Sequence, residues 1–250
     1  QWCEKKKKAD SRVNITDDGY LMEIDQPDRI GPEDISFKTK NLTFCVKDPD
    51  IEKNGERHKW ISDYVNKAEE ALLGSNFLDE TEGYANYFDK VSFVDWYLIN
   101  EITKNNDACF FSSCYLNITP GGKLKMGPLW DYDIALGNVN YNDNQSYEGF
   151  WIKKKVTWFS RMFEDPSFVA LVKERFAYFK SKENDMLTNI NENATYLKFS
   201  VIENNAKWNT LYEQTWPNYA VWGSYNNEVQ YLKQWLSKRL AWLESAFSEL

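Results

Sequence analysis

The sequence predicts an α+β fold, with a short β-rich N-terminal part followed by a mainly helical body that contains one β-hairpin. Three observations predict it: β-forming residues cluster in the first 50 positions, apolar residues recur at helical spacing later, and one turn-rich segment interrupts the helices. Hydrophobic residues make up 42% of the 250 residues, so the chain can bury a substantial core. We expect residues 1–50 to form one part and residues 51–250 a helical lobe.

The N-terminal part contains three predicted strands, at residues 12–15, 20–25 and 41–47. The middle strand follows an Asp-Asp-Gly turn and alternates apolar with acidic side chains. Glu23 and Asp25 are two residues apart, so they point to the same face of this strand. They could reach a metal or a substrate amine, but we favour a solvent-facing position on an edge strand.

The helical body is predicted from five stretches with apolar residues at helical spacing: residues 60–72, 89–104, 166–179, 187–207 and 227–247. Asp89 or Ser92 can cap the second of them. Pro166 suits the first position of the third, because its missing N–H is not needed there. The second helix would hold the polar residues that follow it, Asn105-Asn106-Asp107, on a rigid support.

Residues 105–138 are the most informative segment. They read as a helix end, a strand over residues 110–118, a Thr-Pro-Gly-Gly turn, a return strand over residues 123–129 and an acidic loop. Such a hairpin can bring Asp107, at its entrance, close to Asp131, at its exit. Two adjacent carboxylates suit a magnesium-dependent phosphoryl transfer, in which one orients the attacking hydroxyl and the other holds the metal. On spacing alone, solvated loop carboxylates are the commoner explanation.

Several motifs in and around this segment are similar to those of one family. They are the Asn-x-Asp ending at Asp107, Pro-Leu-Trp-Asp-Tyr-Asp at residues 128–133, and the closing Gly137-Asn138. Together they resemble the CotH spore-coat protein kinase family, a family of secreted kinase-like proteins. Residues 12–15, 19–25, 47–50 and 235–243 are also similar to it, so the likeness spans nearly the whole chain. The chain resembles the C-terminal part of the family domain.

The resemblance implies an atypical protein kinase, in which a helical, kinase C-lobe-like body carries the catalytic residues. By matching motifs, Asp107 would be the catalytic aspartate and Asp131 the metal-binding aspartate, with Asp133 as a further metal ligand. ATP and Mg²⁺ or Mn²⁺ are the implied cofactors. The implied substrate is a coat or cell-surface protein, and the implied location is secreted or at the cell surface.

Two departures from the family pattern lower the expected activity. Gln1-Trp2-Cys3-Glu4 aligns to the middle of the family domain, so we expect the upstream lobe with its ATP-gripping lysine to be missing. Ser112 stands five residues after Asp107, where a typical protein kinase has a metal-binding Asn, and a hydroxyl is a weaker ligand. We expect the chain by itself to be inactive, either as a fragment of an active protein or as a piece of a pseudokinase.

Composition excludes several other classes of protein. The net charge of −8 argues against a nucleic-acid partner, because phosphate binding needs a basic face. No apolar run approaches ~18 residues, so no membrane span is expected. The four cysteines form no CxxC and His58 is the single histidine, which makes a zinc site improbable. One or two disulfides are possible.

Two alternative functions stay open on the sequence. The first is a carbohydrate-binding or cell-surface adhesion module, which the surplus of aromatic residues suggests. It would need exposed tryptophans, for example Trp151 or Trp222. The second is a glycoside hydrolase with Asp107 and Asp131 as its carboxylate pair, which would require the two groups to lie ~5–9.5 Å apart.

Overall fold

A five-stranded antiparallel sheet forms the β part of the fold. In the computed structural model, which describes residues 13–250, the strands are β1 (Tyr20–Ile24), β2 (Ser36–Lys38), β3 (Thr43–Asp48), β4 (Cys114–Ile118) and β5 (Lys125–Met126). Their order is β2-β3-β1-β4-β5. β1 therefore lies at the centre, paired with β3 on one side and with β4 on the other. The central hairpin supplies β4 and β5 and so completes the N-terminal sheet.

The rest of the described chain is mainly helical. Its α-helices are α1 (Glu56–Leu73), α2 (Lys90–Thr103), α3 (Ile152–Lys155), α4 (Thr157–Met162), α5 (Pro166–Ser181), α6 (Glu183–Tyr196), α7 (Lys198–Trp208) and α8 (Tyr225–Ser248). The predicted α+β class is confirmed. Asp89 caps α2, since its Oδ1 accepts from the backbone N–H of Ser92 at 2.9 Å. Pro166 is the first residue of α5, as predicted. The stretch 187–207 forms two helices rather than one.

Both strands of the predicted hairpin are much shorter than expected, and no strand forms at the described residues of the stretch 12–15. Arg12 lies outside the described residues; Val13 forms only an isolated bridge, and Asn14 and Ile15 belong to no strand. The strand predicted from residue 110 begins only at Cys114, because Phe110 and Ser113 have left-handed backbone, with φ of 55° and 53°. The return strand keeps only the two residues of β5 before Gly127-Pro128 ends it.

The solvent-facing position expected for Glu23 is wrong. Glu23 is 5% exposed, because β1 is the central strand and not an edge strand. Its Oε1 accepts a hydrogen bond from the Tyr115 hydroxyl at 2.6 Å, and its Oε2 lies 2.9 Å from the Lys47 Nζ. Asp25 follows the end of β1, is half-buried, and lies 3.9 Å from the guanidinium of Arg29. Alternation along the strand predicts a shared face but not which strands lie beside it.

The described chain forms two compact units, each of which draws on several stretches. Unit 1 comprises the described residues up to Tyr97, with Asp107–Asp131 and Ile152–Val169. Unit 2 comprises Leu98–Asn106, Tyr132–Trp151 and Ala170–Leu250. The division into residues 1–50 and 51–250 stays a prediction about the lobes of the family fold.

An aromatic core fills unit 1. Trp158 and Phe159 of α4 are buried, as expected for this aromatic cluster. The Trp158 ring meets Phe88 edge-on with centroids 5.3 Å apart, and the Phe159 ring stacks on Trp96 at 5.6 Å. Such packing gives a large buried area with defined ring geometry. This core supports the turn that begins at Asp107.

A buried ion pair ties the elements of unit 2 together. Arg239 of α8 and Glu101 of α2 are both fully buried, and the guanidinium NH2 lies 2.7 Å from the Glu101 Oε1. The same guanidinium donates to the backbone carbonyls of Tyr147 at 2.9 Å and Gly149 at 2.8 Å. One side chain therefore holds a helix and a loop at once.

Among residues 13–250, no helix combines the length and apolar character needed to cross a bilayer.

Candidate active site

Asp107 lies on a turn that the aromatic core of unit 1 holds in place. Its backbone carbonyl accepts from the N–H of Phe111 at 3.3 Å and from the Cys114 thiol at 3.4 Å. Phe110, in the same turn, is 7% exposed, and its ring packs against Trp96 and Trp158, each with centroids 5.7 Å away. Asp107 itself is half-buried. The core thus fixes the backbone from which this carboxylate projects.

Asp131 lies at the other end of the hairpin, directly after the tryptophan that anchors it. Trp130 meets Tyr115 edge-on with ring centroids 6.4 Å apart, beside buried Val13 and Leu21. Asp131 is exposed and has left-handed backbone, with φ of 50°. This conformation disfavours residues other than glycine by about 1–2 kcal/mol, although Asp and Asn tolerate it best. Trp130 therefore fixes the position of a strained, solvent-facing carboxylate.

Backbone strain is concentrated in the segment that carries the motifs. Seven non-glycine residues of the described chain have positive φ, and five of them fall between residues 104 and 136: Lys104, Phe110, Ser113, Asp131 and Leu136. Residues held in such conformations cluster at catalytic and ligand-binding sites, where surrounding structure enforces them. The strain therefore marks this segment as the candidate active site on grounds separate from the motif.

Asp133 belongs to unit 2, where it lines a pocket of about 290 Å³. The opposite wall comes from the loop before α8 and from α8 itself. It includes Tyr219, Trp222, Glu228 and Tyr231. The sequence indicated Trp222 only as one of two candidate exposed tryptophans, and gave no signal for the other three. The structure thus groups Asp107 with Asp131 in unit 1 and places Asp133 on a pocket wall in unit 2.

The two candidate exposed tryptophans differ. Trp151 is 1% exposed, and its indole N–H donates to the backbone carbonyl of Asn105 at 2.9 Å. The suggestion that Trp151 forms a ligand-stacking surface is therefore wrong. Trp222 is 39% exposed and stacks on Tyr231.

Comparison with known proteins gives one match. The family model described as CotH kinase protein matches residues 3–243, nearly the whole chain. The chain belongs to the CotH kinase protein family. No curated protein and no solved structure matches it. The resemblance drawn from the motifs is confirmed, and a kinase-like function in the general sense follows from it.

Ser112 is the position at which this CotH chain departs from the protein-kinase pattern, and the structure shows what its hydroxyl contacts. Ser112 is 3% exposed, and its Oγ accepts from the Arg29 guanidinium at 2.6 Å. The Arg29 guanidinium also lies over the ring of Phe111, 5.4 Å from its centroid. A cation beside this hydroxyl repels a metal ion. The residues at this position therefore do not fit a second metal.

Asp131 and Asp133 are exposed carboxylates, a ligand type that suits a single magnesium or manganese ion. Within residues 13–250, no group of three or more His, Cys, Asp or Glu side chains is arranged to hold a metal. Magnesium in phosphoryl-transfer sites is commonly bound by one or two carboxylates, with water and substrate phosphate supplying the other ligands. The roles of Asp107, Asp131 and Asp133 stay predictions.

The cysteines that the structure describes are thiols rather than disulfides. Cys45 and Cys114 are buried, whereas Cys109 is half-buried. Burial raises the pKa of the Cys45 and Cys114 thiols, so both stay protonated and unreactive at neutral pH. Cys3 lies outside the described residues. The two buried cysteines therefore supply no thiolate chemistry to the candidate site.

Proposed function

We propose that this CotH chain provides the catalytic part of a metal-dependent phosphotransferase that moves the terminal phosphoryl group of ATP to a hydroxyl of a secreted or cell-surface protein. The family match over residues 3–243 carries the proposal. The concentration of strained residues between 104 and 136 supports the location of the site.

Asp107 and Asp131 are assigned different roles in this reaction. The Asp107 carboxylate accepts a hydrogen bond from the hydroxyl of the substrate protein and takes the proton of that hydroxyl as its oxygen attacks the phosphorus. The bond between that phosphorus and the bridging oxygen of ADP breaks in the same displacement. Asp131, with Asp133 as the further ligand that the family resemblance implies, would hold one Mg²⁺ or Mn²⁺, and the bound ion would neutralise charge on the phosphates. The rigid turn at Asp107 lowers the entropy lost on orienting the hydroxyl.

The contact between Arg29 and Ser112 supports a site with one metal rather than two. The second metal of a protein kinase is held by the catalytic-loop Asn, and here the guanidinium of Arg29 lies beside the corresponding hydroxyl. We therefore expect a stoichiometry of one metal ion per chain. Two tightly bound ions per chain would contradict this part of the proposal.

The first experiment is a calorimetric titration with Mg²⁺ and Mn²⁺, with and without ATP. The informative variant is Asp131→Asn, because Asn tolerates the left-handed backbone and removes only the charge. We expect it to weaken metal binding by about tenfold or more, as loss of a charged ligand should. Asp63→Asn is the matched control, since Asp63 is an exposed carboxylate on α1. Unchanged metal affinity in Asp131→Asn would count against the assignment.

A phosphotransfer assay then separates binding from chemistry. Asp107→Asn is expected to keep metal affinity within about threefold and, if the wild-type chain transfers phosphate, to lower that transfer by roughly 100-fold or more, the contribution of a general base. Metal and ATP binding together in the wild-type chain would mean that the described site is complete. Metal binding without ATP binding would instead favour the prediction that an upstream lobe holds the nucleotide.

A further inference from the structure

We propose that the pocket of unit 2 binds an organic cation of side-chain size, carrying an alkylguanidinium or alkylammonium group. The proposal shares Asp133 with the proposed metal site but does not require phosphotransfer, because it rests on the carboxylate of Glu228, the aromatic walls and the size of this pocket. The residues that line it include Asp133, Thr210, Asn218, Trp222, Glu228 and Tyr231.

The charge of the lining favours a cation. Asp133 and Glu228 are its charged side chains, and no Lys, Arg or His of the described chain lines the pocket. A phosphate or carboxylate ligand would lie beside these two carboxylates, which repel an anion. Glu228 is held in place, because its Oε1 accepts from the backbone N–H of Trp222 at 2.7 Å. A carboxylate has a second oxygen, which can accept from a guanidinium or ammonium group.

The aromatic wall supplies the second element of cation recognition. Trp222 and Tyr231 stack with centroids 4.7 Å apart and planes inclined by 27°. The side-chain amide of Asn227 donates to the Trp222 carbonyl at 2.9 Å. Both the backbone N–H and the backbone carbonyl of Trp222 are therefore hydrogen-bonded, which fixes this residue in the wall. A Trp face is the best cation–π partner among the side chains. Burial, with a smaller effect of Tyr219 and Glu228, raises the pKa of Tyr231 to about 12, so its ring stays neutral.

The size and rigidity of the pocket suit a single side chain. Its volume of about 290 Å³ lies at the small end of the range for ligand pockets. Ala135, Leu136 and Leu232 offer apolar contact to the methylene stem of the ligand. The Asn138 amide donates to the Asn218 Oδ1 at 2.9 Å and so bridges two lining segments. The pocket is therefore formed before the ligand arrives, which lowers the cost of binding.

An alkylguanidinium group can come from an arginine of a polypeptide or from a free amine. Isothermal titration at low salt with agmatine and with N-acetyl-arginine amide distinguishes these sources, and methyl glucoside serves as the neutral ligand. Glu228→Gln removes the charge yet keeps the acceptor for Trp222, while Trp222→Leu removes the ring. Glu203→Gln and Trp208→Leu are matched controls, because both side chains are exposed on α7 and neither lines the pocket.

We expect at least one of the two cations to bind, and the affinity to fall as salt is added. Both pocket variants should weaken it by about tenfold, while the controls leave it unchanged. Preference for agmatine would assign a free amine, and preference for the blocked arginine would assign a polypeptide. No cation binding at ~10 mM, unchanged affinity in Glu228→Gln, or salt-independent binding of methyl glucoside instead would overturn the proposal. The metal titration with Glu228→Gln should match the wild type, so the two proposals can fail separately.

Discussion

The buried pair of Arg239 and Glu101 makes the sharpest stability prediction. Arg239→Met keeps a long side chain but removes the guanidinium, which pairs with Glu101 and donates hydrogen bonds to the carbonyls of Tyr147 and Gly149. Breaking one partner of a buried ion pair costs about 3–5 kcal/mol, because the other charge stays buried. The guanidinium also donates to the backbone carbonyl of Glu101, and the hydrogen bonds lost to these three carbonyls add roughly 1 kcal/mol for each carbonyl. Since the apolar Met side chain recovers part of this, we expect a loss of about 4–6 kcal/mol.

Urea unfolding followed by far-ultraviolet circular dichroism measures this loss, and hydrogen exchange of the α8 amides assigns it to unit 2. Adding Glu101→Gln to Arg239→Met should restore part of the stability, since the unpaired charge is then removed. Lys182→Met is the control: it breaks the exposed pair with Asp185, whose atoms lie 3.0 Å apart, and should change nothing measurable. A loss below about 1 kcal/mol in Arg239→Met would refute the reasoning.

Three further changes test unit 1. Burial raises the pKa of Asp165, but hydrogen bonds from Lys90, Tyr84 and Ser167 outweigh it and lower that pKa from 3.8 to about 2. The ionised carboxylate therefore stabilises the fold by roughly 1–2 kcal/mol above pH 4, and this stabilisation is lost as the pH falls toward 2. Acid unfolding of Asp165→Asn should lack this pH dependence, and a profile identical to that of the wild type would contradict the assignment. Asp131→Gly should stabilise the chain by about 0.5–1 kcal/mol in thermal unfolding and Asp131→Val destabilise it, because the backbone there is left-handed; equal effects would argue against that conformation. Tyr115→Phe should cost about 2 kcal/mol in urea unfolding, since Glu23 loses a buried hydrogen-bond donor; no loss would mean that another donor replaces it.

The local sequence pattern was sufficient to predict most of the helices, but it was insufficient to predict which strands pair in the sheet. The 3.6-residue periodicity predicted α1, α2, α5 and α8 but joined α6 and α7 into one stretch. The Asp165-Pro166 start and the Asp89 cap are signals within one turn of chain. The error at Glu23 has a different origin. Whether a strand is central or at an edge depends on partners that are distant in sequence. Here β1, which ends at Ile24, pairs with β4, which begins only at Cys114.

The candidate site likewise has residues that the local sequence indicated and contacts that it did not. Asp107 and Asp131 were found from their motif, since both lie beside a recognisable hairpin. The contact between Arg29 and Ser112 joins residues 83 positions apart, and nothing in either local sequence indicates it. The pocket of unit 2 is assembled from four separate stretches of chain, so its acidic and aromatic character emerges only in the folded structure.

The central position of β1 also constrains the order of events during synthesis. β1 and β3 can pair as soon as residues 20–48 leave the ribosome, but the other edge of β1 has no partner until β4 emerges. Translation of the intervening chain takes on the order of ten seconds, during which the buried strand Tyr20–Ile24 shows an open edge. Unpaired, apolar edges of this kind bind other nascent chains. The protein should therefore depend on chaperones most strongly before the hairpin of β4 and β5 is made.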